Sequence, residues 1–467
     1  MTATAVPALL GDLAALPEAT VITRSDPDFP RAARIANIDI SVVPLAVVEC
    51  RSPFAVAAAL RLASTMGLPV AVRAGGFSPA GLGTVGDGIV LSLRPMTDIR
   101  IDRATGIVHV GAGVLTGELD AALTPHGLAL TLPAPSAPSA LGAVLSGGIG
   151  FTLRALGLCC DALISATIVT PDGTIIEADD DNHPDLMWAL RGGGGNFGVV
   201  VEAALQAEPI ATLTVTQCFF ELPRLGALLR SLREWGPDLP WNLNIVAMVR
   251  SLPPAPWIPV DQHGRAGVIV SAIDSGPSDG GMPHEALTPL LGLPGMLHVT
   301  TTTLPPAQLR EITEAAFPHE RFGIRTRSGW LGELTDAAVD ALVDAAADLP
   351  PGLSVLEVGL LGGAVATPSR PSAAPGRDAA YLVNLMAIWL DVDDTAAPTD
   401  WLAAADPRDR AIDTSTGVVP AFVSADQLDR AAETYGTDLP RLRKVKARYD
   451  PHNILSHTLT LSEDRDA

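Results

Sequence analysis

Along residues 1–206, short apolar runs alternate with stretches of helical spacing. Residues 44–49 (PLAVVE) read as a strand. Ser52 then offers a cap and Pro53 a first helical position, for a helix over 55–65 that Gly67 ends. Residues 70–73, 89–93 and 107–110 read as further strands. Thr116 caps a short helix carrying Leu119, Ala122 and Leu123, and Gly127 stops it. Residues 163–178 form a hairpin turning at Pro171-Asp172-Gly173. A helical turn over 185–190 and a strand over 199–204 close this part. Strands interleaved with helices predict an α+β or α/β first domain.

Around Ala207 the pattern changes. Strands are predicted over 213–220, 243–250, 266–272 and 298–302, with helices such as 225–234 and 336–346 between them. Residues 354–361 and 381–391 read as two more strands, and Pro-rich stretches at 253–259 and 368–375 as connectors. This predicts a second domain, an antiparallel sheet backed by helices. A last helix carries Leu442 and Val445.

Composition narrows the function classes. The 467 residues hold 31 Lys+Arg against 52 Asp+Glu, a net charge of −21, which argues against nucleic acid or an anionic membrane as partner. The apolar first fifteen residues lack a basic n-region, and no long uninterrupted apolar segment follows. Cys50, Cys159, Cys160 and Cys218 have no zinc spacing and read as reduced. A cytoplasmic protein is expected.

The candidate chemistry lies in glycine. Residues 70–83 read V-A-V-R-A-G-G-F-S-P-A-G-L-G, a strand entering a loop with Gly75, Gly76, Gly81 and Gly83. Glycine lets a backbone turn sharply and approach a ligand, and successive N–H groups in such a turn form an anion-binding concavity. The stretch is neither a Walker motif nor a Rossmann fingerprint, since the Lys-Ser/Thr ending and the opening helix are missing. An ordinary turn is the plain alternative. Two further glycine systems, at 146–150 and 192–198, weigh against it.

Several segments then carry a resemblance. They are R-A-G-G-F-S at 73–78, G-A-G-V-L-T-G-E-L-D at 111–120, P-H-G-L at 125–128 and S-G-G-I-G-F-T-L-R-A-L-G-L-C-C-D at 146–161. With them stand P-D-L-M-W-A-L-R-G-G-G-G-N-F-G-V-V at 184–200, G-R-D-A-A-Y-L-V-N at 376–384 and R-Y-D-P-H-N at 448–453. Together, in this order over nearly the whole chain, they resemble FAD-linked oxidases of the berberine-bridge-enzyme type, in the vanillyl-alcohol-oxidase (PCMH-type) superfamily. The resemblance implies an α+β fold. A two-part FAD-binding domain would comprise 1–206 and the returning segment 406–467, around a central substrate domain over 207–405. It implies that the backbone of Arg73, Ala74, Gly75, Gly76, Phe77 and Ser78 cradles the FAD pyrophosphate, with Gly81 and Leu82 beside it. Gly147, Gly148 and Gly150 would lie close to the cofactor, with Asp161 in the matching position. Gly198, Val199 and Val201 would line the adenine end, and Asn453 closes the terminal motif.

Departures from the family pattern qualify the chemistry. Phe77 stands where the family has a histidine bonded to the flavin, and Pro135 where some members have a second bond through cysteine. FAD is therefore expected to be noncovalent, and a weaker oxidant. Phe422 stands where a tyrosine often acts as base. Arg327, Glu357 and Tyr381 are the candidates left for proton work, although a charge on a strand is more often a solvated face than a catalyst. His109, His126 and His183 read as structural, and no metal constellation exists. The expected function is an FAD-dependent oxidase or dehydrogenase acting on a small, secondary-metabolite-like molecule, with oxygen as acceptor. The alternatives are a non-redox cyclase on the same fold, for instance a pericyclase, with FAD structural or absent, and a non-catalytic binding protein.

Overall fold

The computed structural model describes residues 11–254, 258–277, 281–315, 321–407 and 417–461. A four-stranded sheet holds β1 (Ala19–Thr23), β2 (Ala46–Cys50), β3 (Val70–Arg73) and β4 (Ile89–Ser92) in the order β1-β2-β4-β3. β2 and β3 both pair parallel to β4. Such a pairing needs a crossover, and α1 (Pro53–Thr65) belongs to it, capped by Ser52, whose Oγ accepts from the N–H of Ala55 at 3.2 Å. A five-stranded sheet follows: β5 (Ile99–Asp102), β6 (Ile107–Gly111), β7 (Leu163–Val169), β8 (Ile175–Ala178) and β9 (Val199–Gln206), ordered β5-β6-β9-β7-β8. β1 and β5 escape the sequence pattern because both are short edge strands, mostly half-exposed or exposed, and so lack an apolar run.

The third sheet is antiparallel and seven-stranded. It comprises β10 (Leu213–Glu221), β11 (Leu243–Ser251), β12 (Ala266–Asp274), β13 (Met296–Leu304), β14 (Gly323–Leu331), β15 (Val355–Leu360) and β16 (Tyr381–Trp389). Their order is β13-β10-β12-β11-β15-β16-β14. Side chains alternate between its faces. Leu243, Ile245, Val268, Leu356, Val383 and Leu385 point to a core shared with Leu228 and Leu232 of one helix (Leu225–Trp235), Val339 and Leu342 of another (Asp336–Ala347), and Trp401 of a third (Ala396–Ala404). On the other face, Trp330 and Leu382 pack with Leu153, Leu158, Cys160 and Val419. That second face thus closes on the part of the chain holding the second glycine system.

The chain ends back on its first half. Within the helix Leu439–Tyr449, the Lys446 ammonium donates to Asp450 at 2.6 Å, to the carbonyl of Asn196 at 2.9 Å and to that of Leu455 at 3.0 Å. The Tyr435 hydroxyl donates to the carbonyl of Gly192 at 3.0 Å. All four cysteines are free and buried. Among the described residues no helix is long and apolar enough to cross a membrane, and no group of three or more His, Cys, Asp or Glu could hold a metal.

Candidate functional site

The first glycine loop leaves β3 with its N–H groups unspent. Among the described residues, those of Gly75, Gly76, Phe77 and Ser78 donate to no backbone or side-chain acceptor. Gly76 (φ 66°) and Gly81 (φ 70°) hold left-handed turns that L side chains rarely adopt. The Arg73 guanidinium points away, donating to the carbonyls of Ala32, Ala33 and Arg34, and burial lowers its pKa to about 10. A phosphate at this loop would therefore meet backbone dipoles and not the Arg73 charge.

Two other segments pack on this loop and on its neighbours. A Cβ at Gly75 would lie 2.2 Å from the carbonyl oxygen of Ala137 and 2.8 Å from the nitrogen of Ser139, so the Pro/Ser loop abuts the first glycine loop. The second and third systems also meet: a Cβ at Gly147 would lie 3.6 Å from Cα of Gly192 and 3.4 Å from Cβ of Ala374. Gly148 and Gly150 approach the 143 and 132 backbones, and Gly198 faces Ile168. Val199 and Val201 are core residues of β9. Asp161 takes a bidentate ion pair from Arg377 and an N–H from Leu158 at 2.9 Å, which fixes the 363–377 segment against the second system. Asn453 lies exposed in a left-handed turn after the terminal helix. Unpaired N–H groups in the first glycine loop, where the Pro/Ser loop abuts it, fit the diphosphate of FAD. Leu82 is half-buried after Gly81, and Ala74 half-buried after Arg73.

The large sheet carries a row of side chains on its face away from the helices, beside the seam where Trp330 and Leu382 meet Leu153, Leu158 and Cys160. Cross-strand partners share a face, and the register runs Phe219–Ile269–Met248–Glu357–Asn384–Ser328. The next row holds Gln217, Ser271, Gly359, Leu382 and Trp330, of which Leu382 and Trp330 touch the Ile149–Cys160 region. Burial among these apolar neighbours raises the Glu357 carboxyl to about 7. The Asn384 amide opposes that rise without making a hydrogen bond of ordinary geometry. Asn384 is fully buried, and among the described residues neither of its amide atoms makes a hydrogen bond of ordinary geometry.

Tyr381 and Arg327 lie on the opposite face by the same register. Each stands an odd number of residues from the row that holds Asn384 and Ser328, so each faces the helices. Tyr381 packs with Val383 and Leu385 in the sheet–helix core, and burial raises its pKa. Arg327 is held at 2.8 Å by Asp406 and at 2.6 Å by Asp426. Of the three candidates for proton work, only Glu357 reaches the seam. Asn384 is its cross-strand neighbour. Phe77 makes an edge-to-face contact with Phe322, ring centroids 5.5 Å apart. Phe422 packs on the Trp330–Leu382 cluster.

Comparison with known proteins finds family models and relatives for parts of the chain and solved structures of the same fold. A family model described as FAD binding domain matches residues 44–179, and one described as berberine and berberine like matches 411–460. (R)-6-hydroxynicotine oxidase of Paenarthrobacter nicotinovorans is 36% identical over 219 residues, 47% of this chain but only 45% of that protein. An FAD-linked oxidoreductase of Dictyostelium discoideum is 26% identical over 440 residues, 91% of this chain and 90% of that protein. Among solved structures, wild-type BBE-like 1 of Physcomitrella patens superposes with a TM-score of 0.85 at 19% identity, covering 98% of this chain and 100% of that one.

Proposed function

We propose that this chain, which carries the FAD binding domain and the berberine-like segment of the berberine-bridge-enzyme-like superfamily, oxidises a carbon bearing a hydroxyl or amine in a small molecule, using noncovalent FAD. The carrying observation is the buried Asn384 amide, which makes no hydrogen bond of ordinary geometry, beside a half-buried Glu357 whose carboxyl is raised to about 7. An orphaned buried amide costs free energy unless something pairs with it, so it favours a polar ligand in the seam.

Bound FAD supplies the two-electron acceptor. The remaining work falls to the chain's own residues. Asn384 can donate to, or accept from, the substrate heteroatom and so orient it. Glu357, when ionised, can take the proton that this heteroatom loses as its carbon is oxidised. Met248 is the apolar neighbour of Glu357 in this row, while Phe219 and Ile269, farther along it, pack with Leu252 and Ile258. Backbone N–H groups of the first glycine loop would hold the FAD diphosphate. A cytoplasmic site of action and oxygen as electron acceptor complete the proposal.

The second reading is an isomerising cyclase. The contact of Phe77 with Phe322 favours it, because it turns the usual attachment position into plain packing. Anaerobic mixing with a panel of small alcohols and amines separates the two. Bleaching of the yellow flavin by at least one compound supports the oxidoreductase. Product isomeric with substrate, formed without oxygen and with the flavin unbleached, overturns it.

Attachment has its own test. With Phe77 and Pro135 in place of nucleophilic side chains, acid precipitation is expected to leave all FAD in the supernatant. Colour retained in the washed pellet would mean a covalent link through another residue.

A further inference from the structure

We propose that Arg310 is a positioning residue that fastens the 133–136 loop over the first glycine loop and thereby sets how tightly FAD is held; this rests on the FAD-dependent reading above. Arg310 lies on the helix Pro306–Glu314, between two strands of the large sheet, and is 2% exposed. Its Nε donates to Asp120 at 2.8 Å, and its Nη2 donates to the same carboxylate. Asp120 belongs to the helix Thr116–Leu123, in the other half of the molecule. The remaining nitrogen, Nη1, donates to the carbonyls of Pro133, Ala134 and Pro135, the last two at 2.9 and 3.1 Å.

One turn further along the same helix, Glu314 accepts from the Ser136 hydroxyl at 2.7 Å and from its N–H at 3.3 Å. From below, the Thr116 hydroxyl donates to Pro135 at 2.6 Å and the Gly117 N–H to Ser136 at 3.2 Å. The loop is thus gripped between one helix from each half. Its sequence explains the grip. Prolines at 133, 135 and 138 withhold N–H groups, so the loop cannot satisfy its own carbonyls through a ladder. Only a guanidinium carries enough donors, in a fixed fork, to serve three carbonyls and a carboxylate together.

What makes this more than a buried ion pair is where it ends. The gripped loop continues into Ala137–Ser139, which touches the position a Gly75 side chain would occupy. With Phe77 and Pro135 unable to bond the flavin, FAD retention depends on noncovalent contacts that the packing of these two loops shapes. Arg310 and Glu314 are the residues through which the large-sheet half holds them so.

The test uses the full chain, prepared with and without FAD, as Arg310→Lys and Glu314→Ala. FAD affinity is read from quenching of flavin fluorescence on titration, and folding from thermal melting of the FAD-free protein. Glu314 is half-buried on one flank of its helix, so its variant is expected to melt as the parent does, while both variants bind FAD about ten-fold more weakly. Parent-like FAD affinity in Glu314→Ala overturns the proposal. So does a loss of affinity no larger than the loss of folded FAD-free protein, and if Arg310→Lys does not fold, Glu314→Ala decides. A parent chain that binds no FAD overturns instead the function reading on which this one rests.

Discussion

Valine at position 75 is expected to strip the protein of most of its FAD. A Cβ there would stand 2.2 Å from the Ala137 carbonyl oxygen and 2.8 Å from the Ser139 nitrogen, both backbone atoms that cannot rotate aside. Either the first glycine loop or the Pro/Ser loop must move. Overpacking of this kind costs about 1–3 kcal/mol, or roughly ten- to hundred-fold in affinity if it is spent on parting the loops. Gly86→Ala is the control, because its Cβ would meet only Val42, at 4.0 Å. FAD per protein, read from visible absorbance after gel filtration, should fall in Gly75→Val and stay unchanged in Gly86→Ala. Full FAD content in the valine variant would mean that the contact between the loops does not shape the cofactor site.

Glu357→Gln is expected to lower turnover by about a hundred-fold or more, since a positioned general base contributes on that scale. The pH dependence sharpens the claim. Burial raises the carboxyl to about 7, so the ionised form accumulates as pH rises through that value, and the parent's rate should climb there. The glutamine variant should show no such climb. Stability runs the other way. A carboxyl raised above its unfolded value stabilises the fold at low pH, and that contribution is lost as pH rises through about 7. The parent should therefore melt progressively lower than Glu357→Gln between pH 5 and 8, a window spanning the rise from the ordinary carboxylate range. A stability difference without a rate difference would make Glu357 a buried structural acid and nothing more.

How far the sequence was legible depended on the range over which each feature is decided. Strands such as 213–220 and 243–250 carry their period-two apolar pattern locally, and the ladder extends each by a single residue. The loops at 73–78 and 146–150 announce themselves through glycine. Glu357 also stands out, as a lone charge inside VLEVGLL. Which face of the sheet looks toward the glycine loops is not a local property. It follows from where the three covering helices pack, and Tyr381 and Arg327 fell on the covered side for that reason. Strand alternation puts Tyr381 and Asn384, three residues apart, on opposite faces, and does not say which face is inward. Arg310 carried no signal at all, because its carboxylate partner is 190 residues away.

The buried tie from Lys446 to Asn196 has a consequence in time. The two residues are separated by 250 positions, so a chain made from its N-terminus exposes Asn196 well before its partner exists. At roughly 5–20 residues per second, that interval is on the order of tens of seconds. Throughout it, the third glycine loop lacks the ammonium that later caps the Asn196 carbonyl. The first half therefore gains this tie only once the segment carrying Lys446 has been made.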